Sequence, residues 1–432
     1  MTIVEIKKTI ARGGIDKTLV EGLAVPENRI ETERARYNKA ADEFLKLYGD
    51  GDVSVFSVGG RTEVSGNHTD HNHGRVIAAS VNLDIIAFAK KRDDGVVSLT
   101  SEGFTPDYVT PDAIEAPSEE TKFHSPALIA GMERAFRDAG YKIGGFDAYT
   151  TSSVLKGSGI SSSAAFEVMV GNILNHLYND GKVSNVEIAK MAQFSENVFF
   201  GKPCGLMDQT ACAVGGFITI DFCDPSAPVI EKIGFDLTKA GYNLCIVNTG
   251  GNHTDLNDDY ASIPAEMKSV ARELGAEVLR GTSREALDKA LAERGSELRE
   301  KVGDRAILRA YHFFAENERV DGQVKALKSG DIEGFMNGVV SSGNSSFRFL
   351  QNVYTTLNVK EQGLSLALCL TEEFLRGTRG VCRVHGGGFA GTIQAFVPTE
   401  LTEKYATMID GVFGEGACHI LSVRRDGAVK VL

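Results

Sequence analysis

Residues Lys156 to Ala165 read KGSGISSSAA, a turn of small residues between a β-rich segment, GGFDAYTTSSVL, and a long apolar run, AAFEVMVGNILNHLY. The pattern predicts strand, glycine-rich turn and helix. Small residues let a backbone wrap closely around a ligand, and successive amides and serine hydroxyls at a helix start aim donors at an anion. The helix dipole adds a modest term of the same sign. The turn lacks the Gly-Lys-Ser/Thr ending of a Walker motif. By composition alone, a serine-rich loop that merely starts a helix is an equal alternative. A linker, however, would not run straight into an apolar helix that has to be held in a core.

Outward from this turn, ETERARYNKAADEFLKLY (Glu31 to Tyr48) has helical spacing and a stop at Gly49 to Gly51. VSVFSVGG is expected as a strand ending in its glycines. RVIAASVNLDIIAFAKK, from Arg75, is a second strand, with DDG as a hairpin turn and VVSLTS as its partner. A helix is predicted over Pro126 to Ala139, another over VEIAKMAQFSENVFFG, and a strand at Phe217 to Phe222. DPSAP (Asp224 to Pro228) is the best candidate for an interdomain connection, which divides the chain into domains 1–225 and 226–432. The second half mixes strands such as YNLCIVNTG with charged helices such as SREALDKALAERGSELREKVG. Strands and helices without a strict βαβ rhythm predict an α+β fold. One pentapeptide, GNHTD, occurs at Gly66 and again at Gly251.

A chain of 432 residues exceeds what one core usually supports. Its net charge of -12, without a visible basic patch, argues against nucleic-acid and membrane partners. Seven scattered cysteines without a C-x-x-C pair fit a reducing compartment, and no apolar run suggests a signal peptide or a membrane span. A cytoplasmic location is expected.

The loop GNHTDHNHG (Gly66 to Gly74) packs three histidines and an aspartate into nine residues, which suits either a metal or a ligand rich in hydroxyls. Read as a strand, it would place His68 and Asp70 on one face and His71 and His73 on the other, so its imidazoles would not converge on zinc.

Gly157 to Ala165 closely resembles the G-x-G-L-S-S-S-A phosphate-binding motif of the GHMP small-molecule kinases, and the other motifs resemble the galactokinase branch. Gly60 to Gly74, GRTEVSGNHTDHNHG, is similar to its signature GR-V-N-L-I-G-E-H-T-D-Y-N-G-G. Pro203 to Gln209, PCGLMDQ, resembles P-C-G-I-M-D-Q, and Arg383 to Gly391, RVHGGGFAG, resembles R-M-T-G-G-G-F-G-G. Arg309 to Arg319 fits R-A-x-H-x-x-x-E-N-x-R. The matches run in order from about Phe56 onward.

The resemblance implies a two-domain GHMP kinase-like architecture with its active site in the interdomain cleft. It implies transfer of the ATP γ-phosphoryl group to the anomeric hydroxyl of galactose, with Mg2+. Asp208 would be the carboxylate that orients or deprotonates the hydroxyl, and Arg61 its partner. Gly157, Ser158, Gly159, Ser161, Ser162, Ser163 and Ala164 would hold the nucleotide's phosphates. Ser163 and Glu196 would hold the metal. Asn67, His68, Asp70, Tyr260 and Gly387 would meet the sugar.

Departures from the family pattern bear on substrate identity. Asn67 stands where relatives carry the glutamate that meets the sugar's C6 hydroxyl. A neutral amide there would tolerate a C6 carboxylate, so galacturonate is the nearest rival substrate, with Arg75 and Lys156 as candidate partners. The E-S-H-x-S-L segment appears as Ser341 to Phe347, SSGNSSF. A sensor that binds sugar and ATP without turnover is the alternative from a different class; the intact serines and Asp208 favour an enzyme.

Overall fold

The computed structural model describes residues 1–154, 160–202, 204–251 and 256–432, with the backbone alone at Asn257. Twelve strands occur among the described residues: β1 (Ser54–Ser65), β2 (Arg75–Lys91), β3 (Val97–Ser101), β4 (Asp107–Val109), β5 (Phe146–Ser152), β6 (Phe217–Asp221), β7 (Val229–Ile233), β8 (Tyr242–Asn248), β9 (Val381–His385), β10 (Thr392–Pro398), β11 (Cys418–Leu421) and β12 (Val429–Lys430). They form an eight-stranded sheet, ordered β12-β1-β2-β5-β3-β4 with β6 on β2 and β7 on β6, and a four-stranded sheet, ordered β11-β8-β10-β9. The fold is α+β.

The long β1–β2 hairpin organises the large sheet. Its alternating side chains feed two cores, as a period of two requires. Phe56, Val58, Ala87 and Ala89 face Met132, Phe136, Val168 and Ile173 of helices Ser125–Asp138 and Ser162–Tyr178. Val55, Ile86 and Phe88 face Ile3, Ile6, Tyr37 and Phe44 of the two N-terminal helices, Ile3–Ala11 and Ile30–Tyr48. The 17-residue β2 is long enough to serve two partners: Ile85 to Lys91 pair with β5, and Arg75 to Ala79 with β6.

Several expectations are corrected. Gly59 and Gly60 lie inside β1, which runs on to Ser65 with register shifts between Gly59 and Arg61 and between Glu63 and Ser65. VVSLTS does not pair with β2. The fully buried body of β5 takes that place, and β3 lies parallel to β5 on the far side. Asp224 to Pro228 connects β6 to β7, which pair antiparallel in one sheet, so the segment closes a hairpin and is not the interdomain connection. We propose a division into two domains, each built on one sheet, with the crossing between Ile233 and Tyr242 and with β12 returning to the first.

The small sheet is fastened to the second half of β1 by side chains of its own strands. Arg383 Nη1 donates to Val64 O at 3.2 Å, and Gln394 Nε2 to Glu63 O at 3.0 Å. His385 Nε2 accepts the Glu63 N–H at 3.3 Å and lies 3.0 Å from the Thr62 hydroxyl. That fixes the proton on Nδ1, which donates to Thr392 Oγ1 at 2.8 Å. The irregular part of β1 thus has its backbone groups satisfied from across the molecule, as buried backbone requires.

Candidate active site

Gly60 brings the first pair together. A Cβ there would lie 2.6 Å from Ile160 Cγ2 and 2.9 Å from Ile160 O; without one, β1 presses against the end of the glycine-serine turn, and Arg61 N donates to Ile160 O at 3.1 Å. The Arg61 side chain then meets Asp208 in a two-pronged contact, Nε to Oδ1 at 2.7 Å and Nη2 to Oδ2 at 2.6 Å. Asp208 sits in the first turn of helix Met207–Val214, where the backbone dipole also favours an anion. The Ser161 hydroxyl donates to the same Oδ2.

Burial opposes charge on both members, yet the pairing wins. Asp208 is held below the usual carboxylate range, its burial outweighed by Arg61 and by the Ser161 hydrogen bond. Arg61 is raised, since the carboxylate more than offsets desolvation. The result is an ionised acceptor at the foot of the turn. Ser161 itself has φ +54°, a left-handed conformation that turns its hydroxyl away from capping the following helix and toward Asp208.

Ser162, Ser163 and Ala164 open helix Ser162–Tyr178. Gly157, Ser158 and Gly159, expected in the phosphate cradle, and Lys156 lie outside the described residues. Ser163 Oγ donates to Glu196 Oε1 at 3.3 Å. Glu196 is buried at 2% exposure, with Lys202 Nζ at 3.4 Å from Oε1 and Gln209 Nε2 donating to Oε2 at 2.7 Å. Two oxygens of this neighbourhood, Glu167 Oε1 and Gln209 Oε1, are buried without a hydrogen-bond partner. Burial, then the charge of Glu196, pushes the Glu167 carboxyl well up, which keeps it neutral beside its acidic neighbour. The hydroxyl of Ser163 and the carboxyl of Glu196 are oxygen donors of the kind Mg2+ takes. Glu167 looks like an ordinary residue of an apolar helix and gives no signal in the sequence, and Gln209 is legible only as the last residue of PCGLMDQ, without a role of its own.

The histidine loop is not a strand, and the face assignment made on that basis fails. Gly66 has φ +95°, and a Cβ there would lie 2.4 Å from Arg75 O. A short 3-10 turn spans Asp70–Asn72 between left-handed His68 and His73. His68 and His71 rings come together, with centroids 5.8 Å apart, and His71 Nε2 lies 3.7 Å from Asp70 Oδ1. Among the described residues no group of three or more His, Cys, Asp or Glu side chains is placed to hold a metal ion.

His68 Nε2–H donates to Gly387 O at 2.9 Å. Burial, then the neighbouring His71, lowers it to about 4, so it is neutral. Asp70 approaches the PCGLMDQ segment, where a Cβ at Gly205 would lie 3.1 Å from its Oδ2. Tyr260 closes the other side. Its hydroxyl donates to Gly388 O at 2.8 Å, and its ring occupies the space a Cβ at Gly387 would need, 2.6 Å from Cε1. At Gly388, with φ +83°, a Cβ would lie 1.9 Å from Asn352 O. Gly388→Ala is therefore expected to displace the turn and cost at least about 3 kcal/mol of stability, read as a lowered urea midpoint.

Two expected ligands have other employment. Asn67 is fully buried. Its Nδ2 donates to Glu63 Oε1 at 2.9 Å and to Gly386 O at 2.7 Å; its Oδ1 accepts from Asn352 Nδ2 at 2.8 Å and Ser346 Oγ at 3.3 Å. Two donors and two acceptors are all an asparagine has. Here it grips protein, not solvent-facing space, in contrast to the sugar contact expected of it. Arg75 is also committed, to Asp221 at 2.7 Å and Asp321 at 2.5 Å, which removes it as a partner for a sugar carboxylate. Glu63, Asn352 and Ser346 were not singled out in the sequence, although Glu63 does stand where the family signature has asparagine. The second GNHTD copy, Asn252 to Asp255, lies outside the described residues.

A profile of the GHMP kinases N terminal domain matches residues 127–216, and the galactokinase galactose-binding signature matches residues 42–91. In fold, the chain is similar to a galactokinase from Lactococcus lactis crystallised with galactose (TM-score 0.76, 24% identity, covering 92% of this chain and all of that one) and to a mevalonate kinase from Methanococcus jannaschii (TM-score 0.62, 13% identity, 87% and 99%). These likenesses define the GHMP kinase fold. In sequence it is 31% identical over 376 residues to a galactokinase from Streptomyces coelicolor, covering 86% of this chain and 92% of the relative. One from Clostridium tetani is 28% identical, covering 83% and 88%. The chain belongs to the galactokinase family.

Proposed function

We propose that the protein is an ATP-dependent sugar 1-kinase acting on galactose. The observation that carries this reading is the ionised Asp208 held in a two-pronged contact by Arg61, with the Ser161 hydroxyl on the same oxygen, beside the His68–Asp70 loop and the Gly387 turn. In the reaction, the sugar's anomeric oxygen forms a bond to the γ-phosphorus as the bond from that phosphorus to the β-bridging oxygen breaks. ADP leaves, and the hydroxyl proton passes to Asp208, which orients and accepts it. Arg61 keeps that carboxylate ionised and adds positive charge beside the developing transition state.

Ser161, Ser162, Ser163 and Ala164 would lie along the triphosphate at the helix start, with Ser163 and Glu196 as the protein ligands of Mg2+. The cation would neutralise phosphate charge when bound. Glu196→Gln is then expected to raise the magnesium concentration for half-maximal rate by about tenfold or more, with a smaller change in the KM for sugar. An unchanged magnesium titration would remove Glu196 from the metal site. His68, Asp70 and Tyr260 are the proposed sugar-side residues. A cytoplasmic location fits seven cysteines that are all unpaired; no helix among the described residues is long and apolar enough to cross a membrane.

The deciding experiment is ATP consumption by the purified protein with magnesium, across galactose, galacturonate, N-acetylgalactosamine, glucose and arabinose, with the phosphorylated position read by phosphorus NMR. Preferential 1-phosphorylation of galactose is expected. Preference for another sugar would replace galactose in this reading, and no turnover with any of them would favour a sensor.

A further inference from the structure

The signature of the family places an amide four residues before an acid, N-L-I-G-E. This chain reads Glu63-Val-Ser-Gly-Asn67, an acid four residues before an amide. The two side chains touch, Asn67 Nδ2 to Glu63 Oε1 at 2.9 Å. Exchanging Glu63 alone would leave a shorter, neutral side chain that no longer reaches Asn67 as a carboxylate does, exchanging Asn67 alone would set two carboxyls against each other in a buried place, and the double exchange restores one acid against one amide. The carboxylate has therefore moved inward. Glu63 is 7% exposed, with Arg383 Nη2 at 3.7 Å from its Oε1, and its backbone N–H is received by His385, itself a replacement for the family's threonine. Asn67, at the position the resemblance assigns to the sugar's C6 side, has its hydrogen-bonding capacity spent on Glu63, Asn352, Ser346 and the carbonyl of Gly386.

We propose that Glu63 and Asn67 are a transposed pair: Asn67 is a positioning residue that fixes the Gly386 to Gly388 turn, and position 67 offers no carboxylate acceptor to the C6 side of the sugar. This rests on the galactokinase reading above. A site built to hydrogen-bond a hydroxyl rejects the analogue that lacks it, because a buried group is left unpaired; a site without that acceptor discriminates weakly. The protein should accordingly phosphorylate 6-deoxygalactose with a kcat/KM within about tenfold of that for galactose.

The test is a cycle of four proteins: wild type, Glu63→Asn, Asn67→Glu and the double variant. Each is measured for its urea midpoint and for kcat and KM with galactose and 6-deoxygalactose. Each single change is expected to lower the midpoint and to raise the KM for galactose by about tenfold, with kcat changed less, as loss of positioning predicts. The double variant should recover most of both and prefer galactose over 6-deoxygalactose at least about tenfold more strongly than wild type does. Damage in the double variant equal to the combined damage of the singles would overturn the pairing, as would a wild type that rejects 6-deoxygalactose by a thousandfold. Should Glu63→Asn not fold, Glu63→Gln, which keeps the acceptor for Asn67, is expected to retain the wild-type KM within about threefold; a loss as large as that of Asn67→Glu would count against the pair. Coupled unfolding midpoints with no galactose turnover in the wild type would defeat the galactose reading while upholding the pair.

Discussion

Replacing Asp208 by asparagine is expected to lower kcat about a thousandfold or more while leaving the KM for sugar within about threefold. The change keeps the size and one acceptor of the side chain, so Arg61 retains one of its two contacts, 2.7 Å and 2.6 Å in the native pair. What is lost is the ionised oxygen. An amide oxygen cannot take the hydroxyl proton, and Arg61 loses the charge of Asp208 in a site where its side chain is only 11% exposed. A change in sugar affinity of the same size as the change in kcat would instead make Asp208 a binding residue. Wild-type turnover in the variant would exclude it from the chemistry. The measurement is steady-state kinetics with galactose beside a calorimetric titration of the sugar, and an unchanged urea midpoint guards against simple unfolding.

The pairing behind that prediction was open to the sequence only by resemblance, since Arg61 and Asp208 are 147 positions apart and neither has a distinctive local pattern. Local signals served where local physics decides. The helix of Ile30–Tyr48 and the strand of Arg75–Lys91 are long, strongly patterned segments, and both fall within a residue of where periodicity puts them. Signals that describe a turn without its context misled. DDG before VVSLTS does mark a change of direction, but the more deeply buried β5 takes the edge of β2, so β3 ends up one strand further out. DPSAP, likewise, is a hairpin tip that composition cannot tell from a linker. Asn67 was legible as a departure and illegible in its consequence. Its role depends on Asn352, Ser346 and Gly386, all about 280 or more positions away, converging on one amide.

Two buried histidines should give this protein an acid-sensitive share of its stability. His312, fully buried, donates through Nε2 to Asn67 O at 3.0 Å and accepts at Nδ1 from Ser345. Burial lowers it to about 4 even though Glu316 lies nearby. His385, at 2% exposure, is lowered to about 3, by burial and then by the charges of Arg61 and Arg383. Both are neutral in the fold and ordinary in the unfolded chain, where they titrate near 6.5. Below that value the unfolded state binds the extra protons, so the stability contributed by the neutral rings is complete above about pH 6.5 and declines as pH falls toward their folded values. At about pH 5 the loss is on the order of 2 kcal/mol for each, or about 4 together, a large part of the stability of an ordinary domain. The effect reaches function through position: a proton on His385 Nε2 removes the acceptor of the Glu63 N–H and so breaks a link between the small sheet and β1, whereas protonated His312, on helix Asp304–Ser329, loses the acceptor it offers Ser345 and still donates to Asn67 O. Buried carboxyls such as Glu133, raised to about 8, act in the opposite sense as pH falls, so the test is a difference: between about pH 7.5 and 5 the wild type should lose more of its urea midpoint than His312→Gln, which keeps a donor for Asn67 O and has the lower midpoint at neutral pH. A wild-type profile no steeper than that of His312→Gln would mean that this ring binds a proton in the fold as readily as in the unfolded chain.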